Sequence, residues 1–583
     1  MKKQEWDILK VILQNTFINQ RILSEKAGYS LGAVNKALHN LVEQGYLNEE
    51  NQLTSKGRNE LENKKPQNAV ILAAGYGMRM VPINTQTPKA LMEVGGEILI
   101  ERIIKQLHEV GIKEIYIVVG FLKEEFEYLI DKYGVTLIVN ADYSHKNNLH
   151  SLYLVRNHIK NTYIIPGDIW CLKNPFNNQE LYSWYMVTDM VEDDSTVRVN
   201  RKMELVSIPE TQAGNGMIGI SYLVGEESEI VKERLEKFDR NPIYNDSFWE
   251  ETLYEKDKMI VPARVISAKE CVEINTYEQL RELDEDSNTL KTDAINVIAT
   301  ALNAEIMDIT DITVLKKGMT NRSFLFRCKG KKYIMRIPGE GTEQLINRRE
   351  EAEVYGILKG KNICDDIAYI NPENGYKITE FLEGARVCDA NNEEDLKACM
   401  KKLRDFHSQK LTVNHEFDIF RQIEFYESLW DGKNSIFRDY ASVKKDVFDL
   451  KQYIDAQKKE KCLTHIDAVP DNFLFAADGQ IRLIDWEYAG MQDPHVDIAM
   501  FCIYSLYNRD QIDKLIDIYF EGNCSKGVRI KIYCYIAACG LLWSNWCEYK
   551  RNLGVEFGEY SLRQYRYAKE YYRIVKNEIG GKI

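Results

Sequence analysis

The sequence lacks any apolar run long enough to cross a bilayer. Its most apolar stretch, "IYCYIAACGLLW" at 532–543, falls short of the roughly 18 residues that such a span needs, and it is typical of a buried helix. The segment "MKKQEWDILK" at the start also lacks the apolar core of a secretory signal. We therefore expect a cytoplasmic protein without membrane insertion.

Paired cysteine motifs and an excess of positive charge are absent as well. All 12 cysteines lie at or beyond Cys171 and none forms a C-x-x-C pair, so neither a zinc site nor a disulfide framework is expected. The formal net charge of −13 gives no overall attraction for nucleic acid or for an anionic membrane. Any DNA contact must therefore be local.

A chain of 583 residues exceeds what one hydrophobic core usually supports. The composition shift at "NKKPQN" (63–68) is typical of a polar linker. We predict three domains, at 1–64, at 67–287 and at 290–583, the last with an N-lobe at about 310–382 and a C-lobe at about 383–583.

The first domain has the pattern of a helix-turn-helix. Helical periodicity at 5–14 and 20–27 is followed by a short turn and a third helix with Ser30 as its N-cap. With "YLNEENQLTSKG" as a wing, the segment resembles the winged-helix domains of bacterial regulators, which would place Ser30, Asn35, Lys36 and His39 outward. Residues 1–64 hold nine Lys/Arg and eight Asp/Glu, so DNA binding and a role in dimerisation or docking both stay open.

The second domain begins with a phosphate-loop pattern. An apolar strand at 70–73 runs into a turn with Gly75, Gly77 and Arg79, and "TPKAL" then supplies Lys89. Glycines let backbone N–H groups approach phosphate oxygens, and arginine adds a planar charged fork.

This loop resembles the "LAAGxGxR" motif and the later "PK" lysine of the nucleotidyltransferases. The resemblance implies a Rossmann-like sheet and a nucleoside triphosphate held by Leu72, Ala74, Gly75 and Gly77, with Arg79 and Lys89 at the reacting phosphates. A helix at 98–109, a strand at 114–120, a helix at 123–132 and a strand at 135–140 continue an alternation that predicts a parallel sheet.

The segment "NADYSHKNNLHSLYLVRNHIKNTYIIPGDIW" is closer to the bacterial phosphocholine cytidylyltransferases, through Asn147, Asn148 and an aspartate, Asp168, at the end of a strand. That resemblance covers roughly 67–285 and implies that Asp168 is a magnesium ligand. Where the family closes the metal site with "E-I-D", this chain has "VEINTYEQL", which puts Asn275 there. An amide oxygen still coordinates magnesium, but one negative charge is lost.

The third domain opens with "VLKKGMTNRSFLFRCKGKKYIMRIPG", which has strand-like runs at 323–328 and 332–337. Gly318 and Asn321 resemble the phosphate-covering "GxTN" loop of choline kinases. The resemblance places Arg336 at the ATP phosphates, with Glu351 as its ion-pair partner on the following helix. Glu350 and Glu353 remain alternatives for that partner.

Two later motifs complete the kinase pattern. In "THIDAVPDNFLF", Asp467 is expected at the acceptor hydroxyl and Asn472 on magnesium, with His465 supporting the loop and Asp471 solvated or capping. In "IRLIDWEYAG", Asp485 ends an apolar strand where kinases carry the aspartate that bridges the metal ions.

The acceptor site is predicted from aromatic residues near the C-terminus. Trp543 and Trp546 lie one helical turn apart, as in the W-x-x-W pair of choline kinases, and aromatic faces hold quaternary ammonium groups. An "E-F-G" segment follows at 556–558, and we add Glu487 and Tyr560 as substrate contacts. The tyrosine of the family aligns near Leu562 instead, which leaves ethanolamine or another amino alcohol open.

Together these resemblances imply a multidomain enzyme: a mainly α winged helix, an α/β Rossmann-like nucleotidyltransferase and an α+β two-lobed domain with a protein-kinase-like fold. We predict that it makes CDP-choline from choline, ATP and CTP with Mg²⁺. A winged-helix regulator with enzyme-derived sensing domains is the main alternative, and a sugar nucleotidyltransferase joined to an aminoglycoside-type kinase is another. DNA contact through the winged helix and a homodimer are left open.

Overall fold

The computed structural model describes residues 1, 3–14, 19–193, 195–209, 211–316, 321–339, 345–553, 555 and 557–580. The chain divides into two compact units, 1–293 and 294–583, and each is described by itself. Across the ranges just given, no helix is long and apolar enough to cross a membrane.

The first unit begins with the predicted helix-turn-helix, which the structure confirms. Asn19 and Ser30 cap the second and third helices, and Gly28, at φ 70°, closes the turn between them. The wing is reduced to one bridge between Leu47 and Leu53. The helices are α1 (Lys3–Gln14), α2 (Gln20–Ala27), α3 (Leu31–Glu43) and α4 (Ser55–Asn63).

The winged helix is packed against the domain that follows it. Asp7 on α1 accepts hydrogen bonds from Tyr29 within the winged helix, at 2.6 Å, and from Tyr182 of the next domain, at 3.0 Å. Leu181 belongs to the same hydrophobic cluster as the core of the winged helix. The segment predicted as a polar linker is also held, because Asn161 donates to the carbonyl oxygen of Asn63 at 2.6 Å.

A ten-stranded sheet forms the centre of the first unit, in the order β5-β4-β1-β6-β11-β8-β13-β10-β9, with β12 beside β13. Its strands are β1 (Asn68–Ala73), β4 (Glu114–Val119), β5 (Thr136–Val139), β6 (Thr162–Pro166), β8 (Trp184–Glu192), β9 (Val197–Val199), β10 (Glu204–Ser207), β11 (Gly214–Leu223), β12 (Tyr254–Glu255) and β13 (Lys258–Ile266). Two small ribbons are β2 (Glu93–Val94) with β3 (Glu97–Ile98), and β7 (Ile169–Cys171) with β14 (Cys271–Glu273). The helices are α5 (Leu99–Glu109), α6 (Tyr128–Tyr133), α7 (Asn148–Leu154), α8 (Glu226–Asp239) and α9 (Tyr277–Leu283).

The prediction of a parallel sheet is right for only part of it. The strands β5, β4, β1 and β6 are parallel, but β11 runs antiparallel to both β6 and β8. The alternation of helix and strand on which the prediction rested ends near β6, and the strands β8 to β11 follow one another without helices between them. The Rossmann-like sheet is therefore mixed.

The cysteine prediction was wrong at one place. Cys171 and Cys271 lie directly opposite each other in the antiparallel ribbon of β7 and β14 and form a disulfide. The two residues are 100 positions apart in the sequence, so no spacing motif announces them. Asp168 precedes β7 and Asn275 follows β14, so both residues lie at the same end of this antiparallel ribbon.

The second unit has the predicted two lobes. Its sheet order is β15-β16-β17-β19-β18, and the strands predicted at 323–328 and 332–337 are confirmed as β16 and β17. The strands are β15 (Ile309–Lys316), β16 (Asn321–Cys328), β17 (Lys331–Pro338), β18 (Ile367–Ile370), β19 (Lys377–Glu380), β20 (Arg386–Val387), β21 (Cys462–Thr464), β22 (Phe473–Phe475), β23 (Ile481–Leu483) and β24 (Gly490–Gln492). The helices are α10 (Asp293–Ala301), α11 (Arg348–Leu358), α12 (Glu393–Ser408), α13 (Ile419–Ser428), α14 (Tyr440–Ala456), α15 (His495–Tyr504), α16 (Arg509–Phe520), α17 (Lys526–Asn552) and α18 (Glu559–Glu578).

The helix α17 is the centre of the C-lobe. It contains the apolar stretch 532–543, is buried along most of its length, and packs against α13, α14, α15 and α18. It carries both tryptophans of the predicted acceptor site.

Candidate active sites

The glycine-rich loop after β1 is shaped by two contacts. Gly77 has φ 64°, and a Cβ atom there would lie 3.1 Å from Cδ of Lys89, so glycine lets the lysine pass close to the loop. The buried Asn84 donates to the carbonyl oxygen of Gly77 at 3.1 Å. A Cβ atom on Gly75 would meet nothing within 4 Å, so its backbone faces open space.

Leu72 and Ala74 fix the edges of this loop. The Leu72 carbonyl oxygen accepts from the Gly167 N–H at 2.9 Å, and the Ala74 carbonyl oxygen accepts from the Phe121 N–H at 3.2 Å. Their carbonyl groups are thus used within the protein, while the loop that follows them carries the groups expected to meet a nucleotide.

Four predicted residues converge next to the loop. The Lys89 ammonium pairs with the carboxylate of Asp168 and donates to Oδ1 of Asn275 at 2.8 Å. Arg79 donates to the same amide oxygen at 3.3 Å. Residues separated by almost 200 positions therefore meet at the carboxyl end of the parallel strands, where ligands of open α/β sheets bind.

Asn147 and Asn148 bind the segment at 246–249. Asn147 donates to the carbonyl oxygen of Asp246 at 3.0 Å, and the Asn148 side chain accepts from the N–H of Trp249 at 2.7 Å. They hold the segment that carries Glu250.

The sequence analysis missed two carboxylates, Glu273 near Asp168 and Glu250 near Glu273. Burial raises the pKa of Glu250 to about 7, and this side chain accepts from the Tyr185 hydroxyl at 3.0 Å while its other oxygen has no partner. Burial and the charge of Asp168 raise the pKa of Glu273 to about 7. Glu273 lies two residues before Asn275, and the alternation of a strand puts both on one face.

Magnesium fits the residues present here. Asp168 supplies a carboxylate and Asn275 an amide oxygen, and both oxygens already converge on the Lys89 ammonium. Mg²⁺ usually takes one or two such protein ligands and completes its shell with water and substrate phosphates. No cluster of three or more His, Cys, Asp or Glu suited to a metal occurs within the described residues.

In the second unit, Arg336 pairs with Glu351 at 2.7 Å rather than with Glu350 or Glu353. Arg348 and Lys377 also approach Glu351, at 3.1 and 3.6 Å. Burial by itself raises the pKa of the Glu351 carboxyl, but these charges lower it to about 2. The sequence analysis missed Arg348 and Lys377, although Arg348 opens the same helix.

Glu487 joins this ion-pair network. Its carboxylate lies 3.4 Å from Arg348 and 3.6 Å from Arg336, and Asn321 donates to it at 3.3 Å. Glu487 was predicted to contact the acceptor, but it touches Arg336 and Asn321, which were predicted to contact the nucleotide. Gly318 lies outside the described residues.

The loop at 465–472, which holds His465, Asp467 and Asn472 and is called the catalytic loop after its predicted role, is held by a buried aspartate that the sequence analysis did not select. Asp497 on α15 accepts from the N–H groups of His465 and Ile466, at 3.0 and 2.8 Å, and also lies 3.0 Å from His407. Ile466 has φ 70°, which a β-branched residue adopts only when its surroundings impose it. His465 in turn lies 2.9 Å from the Ile484 carbonyl oxygen.

Asp467 and Asn472 meet at this loop. The Asn472 amide donates to the backbone oxygen of Asp467 at 2.9 Å and to its Oδ2 at 3.2 Å. The Oδ1 of Asp467 receives no hydrogen bond from Asn472. Burial and the charges of Asp485 and Glu487 raise the pKa of Asp467 to about 8, and burial and the charge of Asp485 raise that of Glu487 to about 7. Asp471 is exposed and accepts from the Tyr504 hydroxyl at 2.8 Å.

A divalent cation fits this group as well. The carboxylates of Asp467, Asp485 and Glu487 repel one another, and Asn472 and Asp485 supply the amide and carboxylate oxygens that magnesium prefers. Asp485 has φ 67° and follows β23 directly, so its position is imposed by the fold.

The predicted aromatic residues form one cluster. The rings of Trp543 and Trp546 lie 5.6 Å apart, Tyr488 meets Trp543 edge-on at 5.7 Å, and Phe557 lies 5.1 Å from Trp546. Tyr560 lies at its edge, 6.5 Å from Phe557. Glu556 of the "E-F-G" segment lies outside the described residues.

Comparison with known proteins gives three family matches. The Choline/ethanolamine kinase model matches 312–519, the MobA-like NTP transferase domain matches 69–182, and the Winged helix-turn-helix DNA-binding model matches 1–48. These matches agree with the three predicted resemblances.

Individual relatives cover the second and third parts. A choline-phosphate cytidylyltransferase of Streptococcus pneumoniae is 34% identical over 224 residues, which are 37% of this chain and 96% of that protein. The protein LicA of Haemophilus influenzae is 26% identical over 264 residues, which are 42% of this chain and 96% of that protein. The crystal structure of choline kinase LicA from Streptococcus pneumoniae matches with 28% identity and a TM-score of 0.43, over 48% of this chain and 98% of that one. This chain joins a cytidylyltransferase domain to a winged helix and to a choline/ethanolamine kinase domain. Because this chain spans nearly all of a relative that is 34% identical, it is an enzyme that belongs to the choline-phosphate cytidylyltransferase family.

Proposed function

We propose that this chain makes CDP-choline in two steps. The C-terminal domain transfers the γ-phosphoryl group of ATP to choline, and the central domain joins the resulting phosphocholine to CTP and releases pyrophosphate. The observation that carries this proposal is that each of two units in one chain brings together the polar groups needed for one of two consecutive reactions. A cytoplasmic location, where both nucleotides are available, remains a prediction.

In the kinase step, Asp467 is placed to accept the proton of the choline hydroxyl. Its Oδ2 is held by Asn472, so Oδ1 is left for the hydroxyl; burial and the charges of Asp485 and Glu487 raise the pKa of its carboxyl, and a cation bound nearby would oppose that rise and favour the carboxylate that accepts the proton. Arg336, positioned by Glu351, would contact the ATP phosphates. Asn472 and Asp485 would hold Mg²⁺, which neutralises phosphate charge when it is bound.

In the second step, a phosphate oxygen of phosphocholine attacks the α-phosphorus of CTP, and the bond from that phosphorus to the β-phosphate oxygen breaks. Arg79 and Lys89 lie where they would stabilise the charge that develops on the phosphates. Asp168 and Asn275 would hold Mg²⁺ there. No protein nucleophile is required.

The cationic head group would be recognised differently in each domain. The kinase offers the faces of Trp543 and Trp546, which attract a quaternary ammonium group. The cytidylyltransferase offers the buried carboxylates Glu250 and Glu273. Ethanolamine or another amino alcohol would use the same groups and is the alternative acceptor to choline.

The first test is a ³¹P NMR assay of the purified chain with choline, ATP, CTP and Mg²⁺. CDP-choline with pyrophosphate is expected. Asp467→Asn should abolish formation of phosphocholine, while Asp168→Asn should let phosphocholine accumulate. Asp471→Asn, four residues from Asp467 on the exposed side of the loop, is the matched control and should change neither step.

Other outcomes separate the alternatives. If the wild-type chain forms phosphocholine but no CDP-choline, the replacement of the usual aspartate by Asn275 has abolished cytidylyl transfer. If no phosphorus species changes with any amino alcohol, the sensing regulator replaces the enzyme proposal.

Trp543→Ala tests the acceptor. A large rise in the KM for choline is expected, because the ring belongs to the predicted acceptor cluster. The ring also packs in the core of the C-lobe, where its Nε1–H donates to Sδ of Met500 at 3.1 Å, so an unchanged KM for ATP shows in addition that the variant is folded. An unchanged KM for choline would remove the aromatic site from the proposal.

Binding of DNA by the winged helix and formation of a homodimer also remain predictions. Lys36 is the basic residue on the outward face of α3, while Glu49 and Glu50 lie exposed at the tip of the wing. Because that tip would meet phosphates, we expect weak DNA binding at most. Fluorescence anisotropy with a duplex at low salt checks the first prediction, and light scattering of the eluted protein checks the second.

A further inference from the structure

Lys550 is a buried cation inside the aromatic cluster of the kinase domain. It follows Trp546 by one turn of α17, and its side chain belongs to a residue that is 6% exposed. Its ammonium lies 5.6 Å from the centre of the Trp546 ring and 5.9 Å from that of Tyr549. Among the described residues no carboxylate or other acceptor pairs with this ammonium, so the aromatic faces are its contacts.

The lysine lies at the end of the helix, where water is close by, because the next residues, Arg551 and Asn552, are exposed. A lysine in such a place usually lays its stem on apolar groups and keeps the ammonium in water. Lys550 as a whole is only 6% exposed, and the Trp546 ring attracts its ammonium.

Lys550 is connected to the predicted acceptor residues by ring contacts. Its ammonium lies 5.6 Å from the Trp546 ring, which lies 5.6 Å from Trp543, and Trp543 meets Tyr488 edge-on at 5.7 Å. Burial lowers the pKa of the Lys550 ammonium, and the charge of Glu487, the residue before Tyr488, partly offsets this effect.

We propose that Lys550 is a specificity-determining residue of the kinase domain, whose ammonium occupies the face of Trp546 and competes there with a cationic acceptor. This inference rests on the proposed function, because it assumes that the acceptor is an amino alcohol with a positive head group. Two like charges cannot share one buried aromatic site without repulsion. Choline is then bound less tightly than the tryptophan pair alone would bind it, whereas an uncharged molecule of the same shape carries no such penalty.

The test uses Lys550→Met, which keeps an unbranched apolar stem and removes the charge. The two acceptors are choline and 3,3-dimethylbutan-1-ol, in which carbon replaces the cationic nitrogen. We expect the KM for choline to fall about 10-fold and the KM for the uncharged alcohol to change less than about 2-fold. The KM for ATP should not move, which also shows that the domain is folded.

Lys526→Met is the control, because Lys526 lies at the exposed start of the same helix. It should leave both acceptors unaffected. A rise in the KM for choline in Lys550→Met would overturn the inference, since the lysine would then support the site. Equal changes for both acceptors would also overturn it, since the effect would be one of shape.

A direct binding measurement separates this inference from the proposed function. If the wild-type chain phosphorylates no choline, the proposed function fails on that result alone. Calorimetric titration of choline then decides the inference: tighter binding by Lys550→Met supports it, and equal or weaker binding overturns it.

Discussion

Replacing Glu351 with glutamine should destabilise the kinase unit by about 3 kcal/mol at neutral pH. The carboxylate is buried among Arg336, Arg348 and Lys377, and its pKa is lowered from 4.5 to about 2. A difference of roughly 2.5 pKa units corresponds to about 3 kcal/mol of stabilisation of the charged form. Removing one member of a buried ion pair typically costs about 3 to 5 kcal/mol, so two independent arguments agree.

The same lowered pKa of Glu351 determines how its contribution to stability depends on pH. The pKa is depressed in the folded state, so the stabilisation is fully present above the unfolded value and is lost as the pH falls towards 2. The difference between the wild type and Glu351→Gln should therefore be constant above about pH 5 and fall to roughly half by pH 3.

Hydrogen exchange with mass spectrometry across a urea series is the suitable assay, because a chain with two units does not unfold in one step. Peptides from β17 and α11 report on the kinase unit alone. Glu350→Gln is the matched control, because Glu350 lies one residue away on the same helix and has no ion pair among the described residues; it should cost less than about 0.5 kcal/mol. Equal losses in both variants, or a difference that persists undiminished at pH 3, would refute the reasoning.

Three further predictions concern the first unit. Because burial raises the pKa of Glu250 to about 7, the KM for phosphocholine should fall as the pH rises through 7; Glu250→Gln should weaken this dependence, leaving the part due to Glu273, and raise the KM, whereas the exposed Glu251→Gln should do neither. Asn275→Asp returns a negative charge next to Asp168 and should lower the Mg²⁺ concentration for half-maximal cytidylyl transfer about 10-fold, and an unchanged requirement would contradict its place in the metal site. Replacing Cys171 and Cys271 with serine opens a loop of 100 residues and should lower the free energy of unfolding of this unit by up to about 4 kcal/mol, seen as a lower Tm that no longer responds to reductant.

The sequence predicts those site residues that follow a local rule. Lys89 follows the glycine-rich loop in a short motif, and Asp467 and Asn472 lie five positions apart on one loop, so spacing alone brings them together. Glu351 was selected over its neighbours by resemblance, and the structure pairs it with Arg336.

Residues that reach a site through tertiary contacts were missed. Asp497 holds the catalytic loop from a helix 30 positions later, and Glu250 lies near Glu273 on a segment held by Asn148. Neither has a spacing that distinguishes it from an ordinary acidic residue. The disulfide between Cys171 and Cys271 has the same origin, since only the pairing of two distant strands brings the thiols together.

The contact of Asp7 with Tyr182 constrains how this fusion can change over time. The winged helix covers Leu181, which is 3% exposed, so a chain that lost residues 1–64 would open an apolar patch on the nucleotidyltransferase. Exposed patches of this kind promote aggregation. Deletion of the first domain would therefore be selected against whether or not that domain binds a ligand, because it serves as a structural part of the enzyme.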